Sequence, residues 1–387
     1  MEIAVLSNGV VGAEKQAIAL ARASGRAFRV LRIVPHPLLA RAPTSAQLLV
    51  ARIGGVRASL FDQRCGDVEA LFARPLPAFA VSCGRASILA SVCLRALGAG
   101  ALRTVHIQHP RCDLSEFDRV VLPRHDIAHA RVGAGWGRAF GWADGARAHV
   151  PCNALVTTGS LHAIDDAALA AARAGAAPGS GDTQPPSPRV ALLLGGPTVA
   201  APYSVEAAAR VLHGVHDSVR AAGGSLMVTT SRRSPHTLAR AVAELASVDP
   251  AVCAWGVADG RANPYLAFLA CAEHLIVTAD SVNMVTEACA AAHFTGASVH
   301  VALGDACASS RACALRARGA TRRLRSFVGS LFDGAAALPL RSDGRLAFDG
   351  AAAASVGRSA GDGEALRREI ALQPMRIARA AFGVVDD

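Results

Sequence analysis

Apolar residues in this chain come in short, nearly unbroken runs separated by longer stretches of helical periodicity. Residues 2–7 (EIAVLS) form the first run and end in Ser-Asn-Gly, and a helix is predicted from about 13 to 23. Further strands are predicted at 28–34, 78–82, 103–108, 119–122 and 154–157, with a helix at 86–97 between two of them. Strands interleaved with helices imply parallel pairing, because parallel neighbours need a crossover connection. Their continuous apolar character fits strands covered on both faces.

An alanine-rich helical segment at 167–177 runs into PGSGDTQPPSP at 178–188, which has no apolar payload and many breakers. This composition break reads as a domain linker. The alternation then restarts, with strands at 189–194, 225–230, 252–256, 274–278 and 298–303 and helices at 205–222, 235–246, 264–272 and 281–292. The predicted fold class is α/β, with two Rossmann-like doubly wound domains at 1–165 and 189–303 joined by a linker at 166–188. Residues 304–362 degrade into an irregular mixture of Ala, Gly, Arg and Ser. Two C-terminal helices are predicted within 363–387, at 364–372 and 375–382, with Pro374 between them.

At 387 residues, 52% of them hydrophobic and 18% charged, the chain has material for two cores and is not a disordered protein. Aromatic residues, at 4%, leave little to stack on nucleic-acid bases. The net charge of +10 alone would suggest an acidic partner. However, Lys15 is the only lysine, and the other 39 of the 40 basic residues are arginine. Together with abundant Ala and Gly, this reads as the bias of a GC-rich genome. The charges are scattered rather than striped, so no nucleic-acid partner is expected, and arginine suits local phosphate binding better. None of the ten cysteines forms a C-x-x-C pair, and no Cys/His spacing resembles a zinc site. Reduced thiols and no metal are expected. Neither a signal peptide nor a run of 18 apolar residues is visible. The expected location is cytoplasmic with no transmembrane helix, and peripheral contact of arginine-rich surface with the inner membrane stays open.

Ligands of doubly wound sheets sit at the carboxyl ends of strands, which directs attention to the loops there. SNGVVGAE (7–14) follows the first strand and could present amides to an anion, or be a plain tight turn. Gly195 and Gly196 follow the strand at 189–194 and could admit a substrate group close to the backbone. TTSRRSP (229–235) places Ser231, Arg232 and Arg233 at a strand end, where an arginine could take a phosphate bidentately. Ser234 and Pro235 read as N-cap and N1 of the next helix. In TADSVNMVTE (278–287), Asp280 or Ser281 would cap a helix whose free amides suit a diphosphate. Asn283 follows in the first turn, and the Glu287 carboxylate further along could accept ribose hydroxyls. Asn263 before Pro264 reads foremost as a cap. In the first half, His109 and the adjacent His125 and Asp126 follow strands, and a histidine there could act as a general base. Each of these also has a plain reading as a capped helix or solvated turn.

Taken in order, QHPR (108–111), FDRVVLPRHD (117–126), NALVTTGSLH (153–162), LLGGP (193–197), VTTSRRSP (228–235), NPY (263–265) and TADSVNMVTEACA (278–290) resemble the elongated-mitochondria-type mitochondrial fission protein family. The likeness spans about residues 1–303. It implies a fold similar to GT-B glycosyltransferases, with two Rossmann-like domains facing a cleft and a nucleotide-sugar donor held by the second. By that resemblance, Ser281 and nearby amides would meet the diphosphate, Glu287 the ribose, and Ser231 and Arg232 would line the donor cleft. The first domain would hold the acceptor, with His125 or Asp126 as base. Helix amides and arginine would offset the leaving diphosphate charge, so no metal and no cofactor beyond the nucleotide-sugar co-substrate is expected. Two segments depart from the family: its usual Asp-Gly-Lys-x-Gly-His type first loop is SNGVVGAE here, and its short Thr-Gly-Lys-Pro turn is AAHFTGAS (291–298). The first expectation is transfer from a nucleoside-diphosphate sugar to an unidentified envelope-type acceptor. A non-catalytic adaptor on the same fold is the second, and a nucleotide-sugar epimerase the third.

Overall fold

The structure is a computed structural model that describes residues 2–130, 150–175, 185–198, 201, 203–256, 260–303, 311–348 and 360–383. It divides into two compact units, one of Met1–Ala163 with Leu372–Asp387 and one of Ile164–Ala371.

The first unit is built on β1 (Ile3–Ser7), β2 (Phe28–Arg32), β3 (Phe79–Cys83), β4 (Arg103–Ile107), β5 (Arg119–Pro123) and β6 (Ala154–Thr157). They form one sheet in the order β2-β1-β3-β4-β5-β6, parallel throughout. Between them run α1 (Val11–Ala23), α2 (Pro37–Arg41), α3 (Thr44–Gly54), α4 (Val68–Phe72), α5 (Ile88–Gly98) and α6 (Arg124–Ala130). The two-residue period of a strand sends Ile3 and Val5 to one face with Leu20 and Val81. It sends Ala4 and Leu6 to the other with Leu31, Leu89 and Phe117. Both faces are covered, which is why β1 and β3 are apolar at almost every position.

The second unit repeats the plan with α7 (Asp166–Gly175), β7 (Arg189–Leu194), α8 (Val205–Ala221), β8 (Ser225–Thr230), α9 (His236–Val248) and β9 (Val252–Trp255). It continues through α10 (Tyr265–Cys271), β10 (His274–Thr278), α11 (Val282–Thr295), β11 (Ser298–Ala302), α12 (Arg311–Asp333) and β12 (Leu338–Pro339). The last helix, α13 (Ala360–Phe382), belongs to this unit up to Ala371 and to the first from Leu372. The sheet order is β12-β11-β10-β7-β8-β9, again all parallel. This is the doubly wound order, and it reverses between β7 and β10.

Several sequence expectations change. The span 166–188, read as linker, opens with the packed helix α7: Leu169 is buried in the second core, and the Arg173 guanidinium donates to the Ala270 carbonyl at 2.7 Å. Residues 176–184 lie outside the described residues. The span read as irregular contains α12, whose Leu324, Phe327, Val328 and Leu331 recur at helical spacing and are buried. The arginines between them masked that stripe. The two predicted C-terminal helices are one helix that runs through Pro374. Proline removes a single amide bond while its fixed φ suits a helix. Burial of Ile370 and Ala371 before it, and of Ile377 and Ala378 after it, holds the run together. Gln373, fully buried beside it, accepts from the Thr158 amide at 3.0 Å and donates to the Ser160 carbonyl at 2.8 Å.

Candidate functional site

At the switch point of the second sheet, the loop after β7 meets the loop after β10. The Gly195 amide donates to Thr278 Oγ1 at 2.7 Å, and that hydroxyl donates onward to Asp280 Oδ1 at 2.6 Å. The Gly196 amide donates to Asp280 Oδ2 at 3.1 Å. A side chain fits at neither glycine. A Cβ on Gly195 would lie 2.1 Å from the Asp280 carboxylate oxygens, and one on Gly196 would lie 2.0 Å from the Arg233 carbonyl oxygen. The close approach that the sequence reserved for a substrate group is therefore made by Asp280 and the Arg233 backbone.

Asp280, read as a possible helix cap, is instead buried and turned toward β7. Its carboxylate takes a third bond from the Arg233 guanidinium, 2.8 Å to Oδ2. Burial pushes the Asp280 carboxyl up, and the bonds from Thr278, Arg233 and Gly196 hold it back. The arginine side chain is 53% exposed while the carboxylate is fully buried, so one half of this ion pair faces solvent. Arg232 beside it is also exposed.

Ser234 does not cap α9. Its hydroxyl lies within bonding distance of the Leu194 and Gly195 carbonyls, at 3.1 and 2.7 Å, and accepts from the Ser231 amide at 2.9 Å. Pro235 takes the cap position without a side-chain bond. The carbonyls at the end of β7 take that hydroxyl in place of the helix amides. Ser231 Oγ accepts from the Arg233 amide at 3.2 Å, which fixes the turn that carries both arginines. Tyr203 donates to the Gly195 carbonyl at 2.7 Å; burial, helped by the Asp280 charge, raises its hydroxyl above the usual tyrosine range.

Ser281 is the cap of α11, accepting from the Met284 amide at 3.3 Å. Asn283 lies half-buried in the first turn, and Glu287 is buried further along. Its Oε2 accepts from the Tyr265 hydroxyl at 2.6 Å. Burial first, then the Glu287 charge, lifts Tyr265 well above its ordinary range, so it stays a donor. Asn263 Oδ1 accepts from the Tyr265 amide at 3.0 Å and so sets the start of α10, with Pro264 in the cap position itself. Tyr265, Thr278 and Tyr203 were missed as site residues. The first two stand inside the NPY and TADS motifs, where a hydroxyl beside a cap was the available signal.

His125 and Asp126 lie elsewhere, half-buried in the first turn of α6 in the first unit. The 7–14 loop of that unit closes on itself: Ser7 Oγ bonds the Glu14 carboxylate and accepts from the Gly9 amide at 3.0 Å. No cluster of three or more His, Cys, Asp or Glu able to hold a metal occurs among the described residues. Eight free cysteines are described, and burial pushes Cys93, Cys112 and Cys289 up to about 12.

Two doubly wound units, each a six-stranded parallel sheet between helices, define a GT-B type of fold. A solved structure from Listeria monocytogenes, assigned as a UDP-N-acetylglucosamine 2-epimerase, shares it. It is 13% identical with a TM-score of 0.52, over 100% of this chain and 97% of that one. A glycosyltransferase from Rickettsia africae superposes less well, at 9% identity and a TM-score of 0.47 over 98% of each chain. The chain belongs to the mitochondrial fission ELM1 family, whose model matches residues 11–349. It is 32% identical over 262 residues to the mitochondrial fission protein ELM1 of Arabidopsis thaliana, a match covering 65% of this chain. The match takes in 58% of the plant protein, so the chain spans less than two thirds of that relative. No helix among the described residues is long and apolar enough to cross a membrane.

Proposed function

We propose that the chain is a glycosyltransferase that takes its sugar from a nucleoside diphosphate bound to the second unit. The observation that carries this reading is the convergence at the β7–β10 switch point. The glycine-bearing end of β7, the Thr278–Asp280 end of β10, an exposed arginine pair and the Ser281-capped start of α11 meet there, with Glu287 held by Tyr265 further along the helix. In this reading the amides of α11 and Arg232 or Arg233 take the diphosphate, and Glu287 takes the ribose hydroxyls. An acceptor hydroxyl, on an envelope-type glycan or lipid, forms the bond to the anomeric carbon as the bond to the diphosphate oxygen breaks. Its proton passes to a general base, and the departing diphosphate keeps its charge against arginine and helix amides.

The test is a thermal-shift panel of nucleoside diphosphates and their sugars on the wild type, Glu287→Ala and Glu287→Gln. The glutamine keeps an acceptor for Tyr265. A cognate ligand far above its Kd should stabilise the wild type by about 2–4 kcal/mol, and both variants should lose that gain while still folding. No shift with any nucleotide would overturn the reading. Binding without turnover in the presence of envelope extracts would favour an adaptor on this fold. Conversion of the sugar nucleotide with no acceptor present would favour an epimerase.

A further inference from the structure

The helix α3 is apolar on two sides. Its inner side puts Leu48 and Ala51 into the first core, at 4% and 7% exposure. Its outer side presents Leu49, Val50 and Ile53, at 54%, 43% and 80%. Ile53 lies three residues past Val50 and four past Leu49, so the three are neighbours on the helix surface. The preceding helix repeats the arrangement, with Leu39 against the core and Leu38 75% exposed. A surface helix of a globular unit normally turns charged and polar residues outward. Here the outward residues are aliphatic.

The charges around this face are mostly of one sign. No Asp or Glu occurs between Glu14 and Asp62, so the general scatter of charge along the chain fails here. Arg41 closes α2, Arg57 follows α3, and the Arg85 guanidinium donates to the Ala42 carbonyl at the joint between the two helices. All three are exposed, and no carboxylate pairs with them among the described residues. Arg52 is engaged by Glu116. Protein interfaces are typically anchored by aromatic side chains within a polar rim. Residues 36–57 hold no Phe, Tyr or Trp, and aliphatic side chains beside several unpaired arginines match the boundary between acyl chains and phosphate headgroups.

We propose that the outer face of α2 and α3 seats the protein on an anionic lipid surface. Leu38, Leu49, Val50 and Ile53 enter the acyl boundary, and Arg41, Arg57 and Arg85 meet headgroup phosphates. The proposal concerns the first unit alone and stands whether or not the donor reading holds.

Flotation of the whole protein with vesicles tests it, comparing phosphatidylcholine alone with the same lipid plus phosphatidylglycerol. The wild type should float with the anionic vesicles only, and release as salt rises. Ile53→Asp and Leu49→Asp should each lower the floated fraction about tenfold, and Arg57→Gln about fivefold. All should keep the wild-type melting temperature, since the side chains are exposed. Val248→Asp, the same change at an equally exposed valine closing α9, should float like the wild type. A wild type that never floats would overturn the proposal, as would an Ile53→Asp variant that floats undiminished. If Ile53→Asp instead altered molar mass in light scattering while flotation stayed unmoved, the face would be a protein interface and the lipid proposal would fail.

Discussion

The loops after β1 and β7 start from the same recipe and finish as different objects. Each leaves a buried parallel strand, carries glycines and leads toward a helix. After β1 the bonds that shape the turn are local: Gly9 donates to Ser7, Val10 donates to Asn8 at 2.9 Å, and Ser7 bonds Glu14. After β7 the partners come from three other segments, with Thr278 and Asp280 receiving amides and Tyr203 and Ser234 donating to carbonyls. Gly9 is there for its φ of +77°, and a Cβ at that position would meet nothing within 4 Å, whereas Gly195 and Gly196 are there because neighbours occupy that space. A glycine after a strand thus serves either the turn or the contact, and only the second kind marks a place where distant chain segments were brought together.

Substitutions decide whether the two loops differ in this way. Gly195→Ala and Gly196→Ala should each cost about 3 kcal/mol or more in urea unfolding, because backbone and a buried carboxylate stand in the way. Acid should come next, and should act on both units. His106 in β4 and His300 in β11 are buried, and burial takes them down to about 3 and about 4. Unfolded, each binds a proton near 6.5, so the unfolded chain holds more protons between those values. Stability should be intact above that point and fall by about 2 kcal/mol per histidine by pH 5. His106→Gln and His300→Gln should each remove a share of the slope, and an unchanged slope in the double variant would refute this. The smallest effect is expected at Gly9→Ala, about 1 kcal/mol from left-handed backbone strain alone. A cost there equal to that at Gly196 would erase the distinction between the loops.

The strands and their parallel pairing were legible because a strand covered on both faces has to be apolar at every position. Most of the family motifs fall at strand ends, which the same apolar runs made visible. What stayed hidden depended on partners far away in sequence. Nothing local to Ser234 shows that the carbonyls ending β7, about 40 residues earlier, will take its hydroxyl. The Tyr265–Glu287 bond spans 22 residues and needs α10 and α11 to pack first. The short helices α2, α3 and α4 escaped because an outer face as apolar as that of α3 lacks the contrast that periodicity detects. Pro374 suggested a break that buried contacts on either side override.

The first core also sets an order of events. Ile377, Ala378 and Phe382 share one face of the first sheet with Ile3 and Val5, and Phe382 stacks edge-on against Phe79 at 5.0 Å. During synthesis at roughly 5–20 residues per second, those later residues trail β1 by about 20–75 s. A nascent chain therefore carries an incompletely covered apolar face while the whole second unit is being made. A transcript truncated before codon 377 would yield a protein with one well-covered unit and one perpetually sticky one, the kind of product that chaperones hold and proteases remove.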